Sequence, residues 1–358
     1  MSELGKKSHM VFVGGGAVGG YVSGHLAANG YDVTVIDMWP ENVAAIRKDG
    51  LRLSGTTPEE TLTGKPRALH VCDVPQLAHE RPFDVAFVCM KSYDTVWAAQ
   101  LIKPYLAEHG FIVSLQNGIN EERVASVVGW GRTVGCIASS ISVELYEPGK
   151  IHRGVPKGGE KHTVFRVGEP HGRLTPRVFA LAEMLKTTDS SKPTTNLWGE
   201  RWSKLVLNSM QNGMAAATGL SSNAMSTRQD LRRGIVRLGG EAVNVGVALG
   251  YPLEEMVHCE AADFLKAHKG DAAARDKIEA EIQKMAVGRS DKQRPSMGQD
   301  MAKGRRTEIE FLNGLVVARG AELGIKCPAS AALVRCVQRV ERGEVKQGPE
   351  AVSEVLNA

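Results

Sequence analysis

An α/β architecture is what this sequence predicts: an N-terminal doubly wound parallel sheet followed by an all-helical C-terminal domain. Three observations predict it. The segment Met10 to Asp37 reads strand, glycine turn, helix, strand. Strand and helix patterns keep alternating through about residue 190, as repeating β-α units do. From Asn196 onward the strand patterns stop and only helical ones remain. A border near Lys192-Pro193 gives domains 1–193 and 194–358, a natural division for 358 residues.

The first of these observations also carries chemistry. Met10-Val11-Phe12-Val13 is an apolar strand, and Gly14-Gly15-Gly16-Ala17-Val18-Gly19 is the turn. Val33 to Ile36 form a second strand that ends at Asp37, 18 residues after Gly19. In a G-x-G-x-x-G turn the first glycine permits the tight bend, the second lets a pyrophosphate approach the backbone, and the third lets the helix pack close on the strand. Free N–H groups and the positive dipole of the helix N-terminus, here at Ala17 and Val18, then face the phosphates. Strand, turn, helix, strand and terminal acid in register specify far more than the glycines alone. They predict a Rossmann-type, dinucleotide-binding domain.

Further elements follow in order. Pro40 to Lys48 reads as a short helix with Gly50 past its end. Asp84 to Met90 is a continuous apolar run, the signature of a buried parallel strand, and a helix is expected over Asp94 to Glu108. Phe111 to Leu115 is another buried strand, running into Gln116-Asn117-Gly118, and Thr133 to Ser140 continues the sheet. Ser142 to Tyr146, Lys150 to His152 and His162 to Val167 read as antiparallel strands at a sheet edge. In the second domain, helices are expected over Trp198 to Ala217, Gln229 to Leu249, Leu253 to His268, Ala272 to Ala286, Ser296 to Leu323 and Ala329 to Arg342. The charged, alanine-rich stretch Lys266 to Lys292 reads as a solvent-exposed helical excursion.

Bulk composition narrows the partners. A net charge of +4 gives no nucleic-acid signal, and the densest basic spot, Lys303 to Arg306, reads as a solvated helix face. No apolar run approaches the ~18 residues of a membrane helix, and the polar start Met1 to Ser8 shows no secretory signal. The six cysteines lack C-x-x-C pairing and the ten histidines form no metal motif. This usage predicts reduced thiols in a cytoplasmic protein without a metal. A homodimer is compatible with all of this but not indicated by it.

Two helical segments carry unusual residues. Lys204, Asn208 and Asn212 recur at i, i+4 and i+8, so they share one face of a helix. Asparagine is a poor helix former because its side chain competes with the backbone. Two of them in register below a lysine cost stability unless the face has work to do. Ser296 and Gln299 satisfy a capping-box pattern. Read as helical, Glu308 shares a face with Phe311, Leu312, Leu315 and Arg319, whereas Glu310 points away. A carboxylate on an apolar face calls for a cationic partner, and Lys204 is a candidate.

Along most of its length the chain resembles the ketopantoate reductases (2-dehydropantoate 2-reductases). The resemblance rests on six segments in order: Gly14 to Gly19, Lys91-Ser92-Tyr93-Asp94, Leu115 to Gly118, Trp202-x-Lys204 with Asn208 and Asn212, Ser296-Met297-x-Gln299-Asp300, and Thr307-Glu308-Ile309 with Asn313-Gly314. It implies NADPH-dependent reduction of 2-dehydropantoate to (R)-pantoate. Carried over by position, it implies Lys204 as catalytic acid and Glu308 as its partner. Asn117, Asn208, Asn212 and Ser296 become substrate-binding groups, and Lys91 and Asn117 cofactor contacts. Asp37 departs from the family habit of a basic residue after the second strand: an aspartate accepts from both ribose hydroxyls of NAD(H) and repels the 2′-phosphate of NADP(H). The alternative reading is therefore a related dehydrogenase acting on a different 2-oxo or hydroxy acid. A dinucleotide sensor or a scaffold would need neither Lys204 nor Glu308.

Overall fold

The computed structural model of the protein describes residues 4–286 and 294–358. It divides into two compact units, Met1–Leu197 and Trp198–Ala358.

The first unit opens with β1 (His9–Val13), α1 (Ala17–Ala28), β2 (Asp32–Asp37) and α2 (Pro40–Asp49). Three short strands follow, β3 (Leu51–Ser54), β4 (Leu62–Gly64) and β5 (Arg67–His70). Then come β6 (Phe83–Val88), α3 (Thr95–Ile102), β7 (Leu106–Ser114), α4 (Glu121–Val128) and β8 (Thr133–Ala138). The unit closes with β9 (Val143–Glu147), β10 (Lys150–Arg153), β11 (Phe165–Gly168), α5 (Pro176–Leu185) and β12 (Ser191–Thr194). The main sheet has the order β12-β11-β8-β7-β6-β1-β2-β5 and is parallel except where β11 meets β8.

Residue alternation explains why both of its faces are covered. Met10 and Phe12 enter one core with Val35, Phe87 and Val113, and Phe12 stacks on Phe87 at 4.4 Å. Val11 and Val13 enter the other with Ile36, Val88 and Ile112. A strand segment buried on both sides is apolar at successive positions, as Met10–Val13 of β1 and Val85–Val88 of β6 are.

Three expectations for this unit need correcting. The helix expected to Glu108 stops at Ile102, because Pro104 cannot continue it and a tight turn over 103–105 follows. Leu106 then pairs with Phe83, so Glu108 lies in β7. β9 and β10 form an antiparallel hairpin, but in a separate sheet of order β4-β3-β10-β9, while β11 lies inside the main sheet. Lys192-Pro193, the expected border, sits within β12, an edge strand where a missing N–H is tolerated.

The second unit is helical: α6 (Leu197–Thr218, starting at the border), α7 (Ser222–Thr227), α8 (Gln229–Ala248), α9 (Ala261–His268) and α10 (Ala272–Ala286). After the undescribed residues come α11 (Ser296–Ala302), α12 (Asn313–Glu322), α13 (Pro328–Glu341) and α14 (Ser353–Asn357). The buried Trp202 indole donates to the Ala242 carbonyl at 2.8 Å, fixing α6 on α8. Buried Glu241 accepts from the Ala329 and Ser330 N–H groups, both at 2.8 Å, at the start of α13.

Here too the expectations shift. Leu253 to Glu260 is not helical, and its Met256 and Cys259 pair across a two-residue turn. The charged stretch is no excursion over its described part, since α10 buries Ala274, Ile278 and Ile282; residues 287–292 of it lie outside the described residues. The single helix expected from Ser296 to Leu323 is broken at Lys303-Gly304. Gly304 takes φ +63, and the Arg305 N–H returns to the Asp300 carbonyl at 2.9 Å. That closure is a Schellman stop. Among the described residues no helix is long and apolar enough to cross a membrane, and all six cysteines are free thiols.

Candidate active site

The strand order reverses at β1, which lies between β2 and β6. Ligands of open α/β sheets bind outside the carboxyl ends of the strands at such a point, and the glycine turn leaves β1 there. Gly14 has φ +110, a region that L side chains avoid, and its N–H donates to the Ile36 carbonyl at 2.8 Å. A Cβ at Gly19 would stand 2.0 Å from the Gly14 oxygen, so only hydrogen fits between turn and helix. A Cβ at Gly16 would meet nothing within 4 Å. That face is open. Gly16 is the N-cap of α1, no side chain caps the helix and no acid lies in its first turn, so Ala17 and Val18 begin it with positive character. These features fit a dinucleotide pyrophosphate.

Asp37 ends β2, and its carboxylate is already engaged. Oδ2 accepts from the Gly15 N–H at 2.7 Å and from Asn42 Nδ2 at 3.3 Å, while Oδ1 accepts from the Trp39 N–H at 2.8 Å. The Gly15 and Asn42 donors occupy Oδ2, and Oδ1 keeps a lone pair for a ligand. Fully buried Asn42 escaped the sequence reading. It also donates to the Gly15 carbonyl (3.1 Å) and accepts from the Gly149 N–H of the β9–β10 turn (2.8 Å). An asparagine three residues into an otherwise charged helix was the only signal.

The loops after β6 and β7 join the same edge. A Cβ at Gly14 would touch Met90 Sδ at 2.9 Å, and the Met90 carbonyl accepts from Gln116 Nε2 at 2.8 Å. Lys91 follows Met90 and starts the turn over Ser92–Asp94. The Asn117 carbonyl accepts from Asn120 Nδ2 (2.8 Å) and from the Ser92 hydroxyl (3.2 Å), which leaves the half-buried Asn117 carboxamide without a hydrogen bond among the described residues. Gln116 and Asn120, missed in the sequence because they flank the motif residue, hold this loop.

In the second unit α6 carries the polar stripe. Lys204 and Asn208 are half-buried and Asn212 is buried. Asn212 Nδ2 donates to Ser296 Oγ at 3.4 Å, which brings two of the expected residues together. Ser296 is no cap: Pro295 holds the N-cap position and Gln299 Nε2 turns back to the Arg294 carbonyl at 3.0 Å. The serine hydroxyl is thereby directed to α6. Among the described residues Asn208 Nδ2 is buried without a hydrogen-bond partner, a donor waiting for an acceptor.

Glu308 is buried, but for a reason other than the expected one. It precedes a tight turn over Ile309–Phe311 and so does not share a helical face with Leu315 or Arg319. The loop itself packs on α6: Asn313 Nδ2 donates to the Ser209 carbonyl at 3.0 Å, and a Cβ at Gly213 would meet Ile309 Cδ1 at 2.9 Å. Glu310 is exposed and pairs with Arg306 at 2.8 Å, as its position suggested. Among the described residues no cluster of metal-ligating side chains exists.

A glycine turn at the switch point of a doubly wound sheet, on a chain whose helical unit presents a lysine and two asparagines on one face, defines a nicotinamide-dependent oxidoreductase. Comparison with known proteins gives the family. Residues 10–161 match the family Ketopantoate reductase PanE/ApbA, and residues 196–341 match Ketopantoate reductase PanE/ApbA C terminal. The chain belongs to this family. It is 28% identical over 337 residues to the 2-dehydropantoate 2-reductase of Archaeoglobus fulgidus, covering 92% of this chain and 97% of that one. With the Halobacterium salinarum enzyme of the same name it shares 27% over 339 residues, covering 93% and 99%. Among solved structures, the PanE/ApbA family ketopantoate reductase of Ralstonia eutropha superposes with a TM-score of 0.75 at 27% identity, covering 94% of this chain and 99% of that chain. D-mandelate dehydrogenase also reaches 0.75, at 18% identity and 93% and 99% coverage, which shows the shared fold.

Proposed function

We propose that the protein reduces the ketone of 2-dehydropantoate, giving (R)-pantoate. One observation carries this reading: the Lys204, Asn208, Asn212 face of α6, where the buried Asn208 amide donor has no partner among the described residues and Asn212 is tied to Ser296. The curated relatives named 2-dehydropantoate 2-reductase, matched over nearly their whole length, support the choice of acid. The backbone of Gly14 to Gly19 holds the cofactor pyrophosphate, Asp37 an adenosine ribose hydroxyl, and Lys91 and Asn117 the parts nearer the nicotinamide. When bound, the reduced nicotinamide supplies the hydride.

The remaining work falls to this chain's side chains. Lys204 donates a proton to the ketone oxygen as negative charge develops there, a contribution of about 10²–10⁴ in rate. Its positive charge also stabilises that oxygen before the proton moves. Asn208 Nδ2 spends its donor on an acceptor oxygen of the substrate. Ser296, oriented by Asn212, takes the carboxylate. Glu308 keeps Lys204 protonated, since a nearby anion favours the ammonium form.

NADH is the preferred reductant in this reading, because Asp37 is fixed where a 2′-phosphate would lie. That same observation supports the second reading, an NAD-dependent enzyme for another 2-oxo or hydroxy acid. Steady-state rates over a panel of 2-oxo acids, with each reduced cofactor, test both. Turnover of 2-dehydropantoate at least tenfold better in kcat/KM than any other acid upholds the first. A different acid ahead of it replaces that reading with the second.

A further inference from the structure

The carboxamide of Asn42 links the glycine turn to the second sheet. Asn42 is fully buried at the third position of α2, where a poor helix former gains nothing from the helix itself. Both N–H bonds of its amide are spent, one on the Gly15 carbonyl at 3.1 Å and one on Asp37 Oδ2 at 3.3 Å. Its oxygen accepts from the Gly149 N–H at 2.8 Å. That last bond settles which way the carboxamide points, because a backbone N–H can only donate.

Gly149 is itself held in place. Its carbonyl accepts from the Arg52 N–H of β3 at 2.8 Å, and a Cβ on it would stand 3.2 Å from the Ala45 Cβ of α2. With φ +70 it makes the tight β9–β10 turn that brings its N–H against the helix. Asn42 therefore ties the turn after β1 to a fixed edge of the smaller sheet.

The geometry of a peptide unit shows what this tie does. In a trans unit the C=O and the N–H point in opposite directions. Asn42 draws the Gly15 carbonyl toward α2, so the N–H of the same unit, that of Gly16, points away from α2. Among the described residues that N–H makes no hydrogen bond. The preceding unit is pinned as well, since the Gly15 N–H donates to Asp37 Oδ2 at 2.7 Å. Gly15 has no room to shift sideways either, because a Cβ on it would meet Asp37 Oδ2 at 2.8 Å and Val35 Cγ1 at 2.9 Å.

We infer that Asn42 is a positioning residue of the cofactor site: through the Gly15 carbonyl it aims the Gly16 N–H at the dinucleotide pyrophosphate, and the β9–β10 turn holds it to that task. Asn42 acts through the backbone and touches no part of the ligand. This inference rests on the reading of Gly14 to Gly19 as the pyrophosphate site and names what sets its shape.

Asn42→Asp tests it with almost no change of shape. A carboxylate keeps an acceptor for Gly149 but has no N–H to offer. It repels the Gly15 carbonyl and attracts the Gly16 N–H, which turns that donor away from the pyrophosphate. Asn42→Leu removes the same bonds without adding charge and serves if the aspartate variant does not fold; circular dichroism establishes the fold of each. Calorimetric Kd for NADH and for NADPH should both rise at least about tenfold in Asn42→Asp, the worth of one hydrogen bond to a charged group. In Asn42→Leu both should rise at least about threefold. The kcat at saturating NADH should stay within about threefold of wild type, because no group on the substrate changes. A merely structural asparagine lowers Tm and leaves both Kd values of the folded variants unchanged, and that result overturns the inference. So does a loss confined to one cofactor, which places the effect at Asp37 alone. A wild type that binds neither cofactor overturns the pyrophosphate reading together with the inference.

Discussion

Replacing Asp37 with serine should change which cofactor the enzyme prefers, and the geometry around the carboxylate sets the size of the effect. A dianionic 2′-phosphate near Asp37 meets a fixed negative charge. At 4 Å and an effective dielectric near 20, each pair of unit charges repels by about 4 kcal/mol. Solvent screening reduces this to roughly 1–3 kcal/mol, a preference for NADH of about 5- to 150-fold. Turning the carboxylate away offers little relief. It would break the bonds from the Gly15 and Trp39 N–H groups at 2.7 and 2.8 Å, each worth about 1.5–3 kcal/mol to a charged acceptor. Nor is Arg47 idle, because its Nε donates to the Ala68 carbonyl and its Nη2 pairs with Asp73 at 2.6 Å. Asp37→Ser also loosens the glycine turn and weakens both cofactors, so the readout is a ratio. Calorimetric Kd and kcat/KM for NADH and NADPH should show the wild-type preference collapsing at least fivefold in the variant. A wild type that favours NADPH, or a serine variant with unaltered discrimination, refutes the reasoning.

Other perturbations have equally definite outcomes. Glu308→Gln should depress kcat more than thermal stability and move the basic limb of the pH–rate profile down by about one unit, because an ammonium without its anion loses its proton more readily; an unmoved limb dismisses the pairing with Lys204. Gly19→Ala forces a methyl to within 2.0 Å of the Gly14 oxygen, so overpacking of about 1–3 kcal/mol should lower Tm and weaken NADH binding, measured by calorimetry; a variant that binds NADH normally contradicts the packing account. His25 is buried on α1, and desolvation, with Lys157 and Arg153 adding to it against the opposing Asp189, lowers its pKa from 6.5 to about 3. The unfolded chain therefore binds a proton that the folded one refuses below pH 6.5. Stability is complete above that pH and falls toward pH 3 by roughly 5 kcal/mol in all. Urea unfolding between pH 6.5 and about 5 should show the slope in the wild type and lose it in His25→Leu.

How much of this was legible in the sequence depends on the physics behind each signal. Local rules sufficed for the glycine turn, since Gly14 and Gly19 are demanded by a φ value and a close approach that only glycine meets. Buried parallel strands such as β1 and β6 announced themselves as unbroken apolar runs. Short strands such as β3, β4 and β5 carry too few residues for a periodic signal, and the sheet that holds β3 and β4 is assembled from segments far apart in the chain. Two stop signals, Pro104 and Lys303-Gly304, were present but overridden by the apolar periodicity around them. That periodicity also put Glu308 on a helix face, when its burial comes from a loop packed on α6. Asn42, Gln116 and Asn120 were out of reach because their meaning lies in partners 27, 26 and 28 residues away, two backbone carbonyls and the Ser92 hydroxyl.

The central claim, that Lys204 protonates the ketone oxygen of a bound 2-oxo acid, is tested most directly by single-turnover reduction of 2-dehydropantoate in Lys204→Ala, with cofactor Kd measured on the same preparation. The account predicts a rate at least about 100-fold below wild type with cofactor affinity within about threefold. A variant that retains a third of the wild-type rate, about half a kcal/mol in barrier, would contradict it.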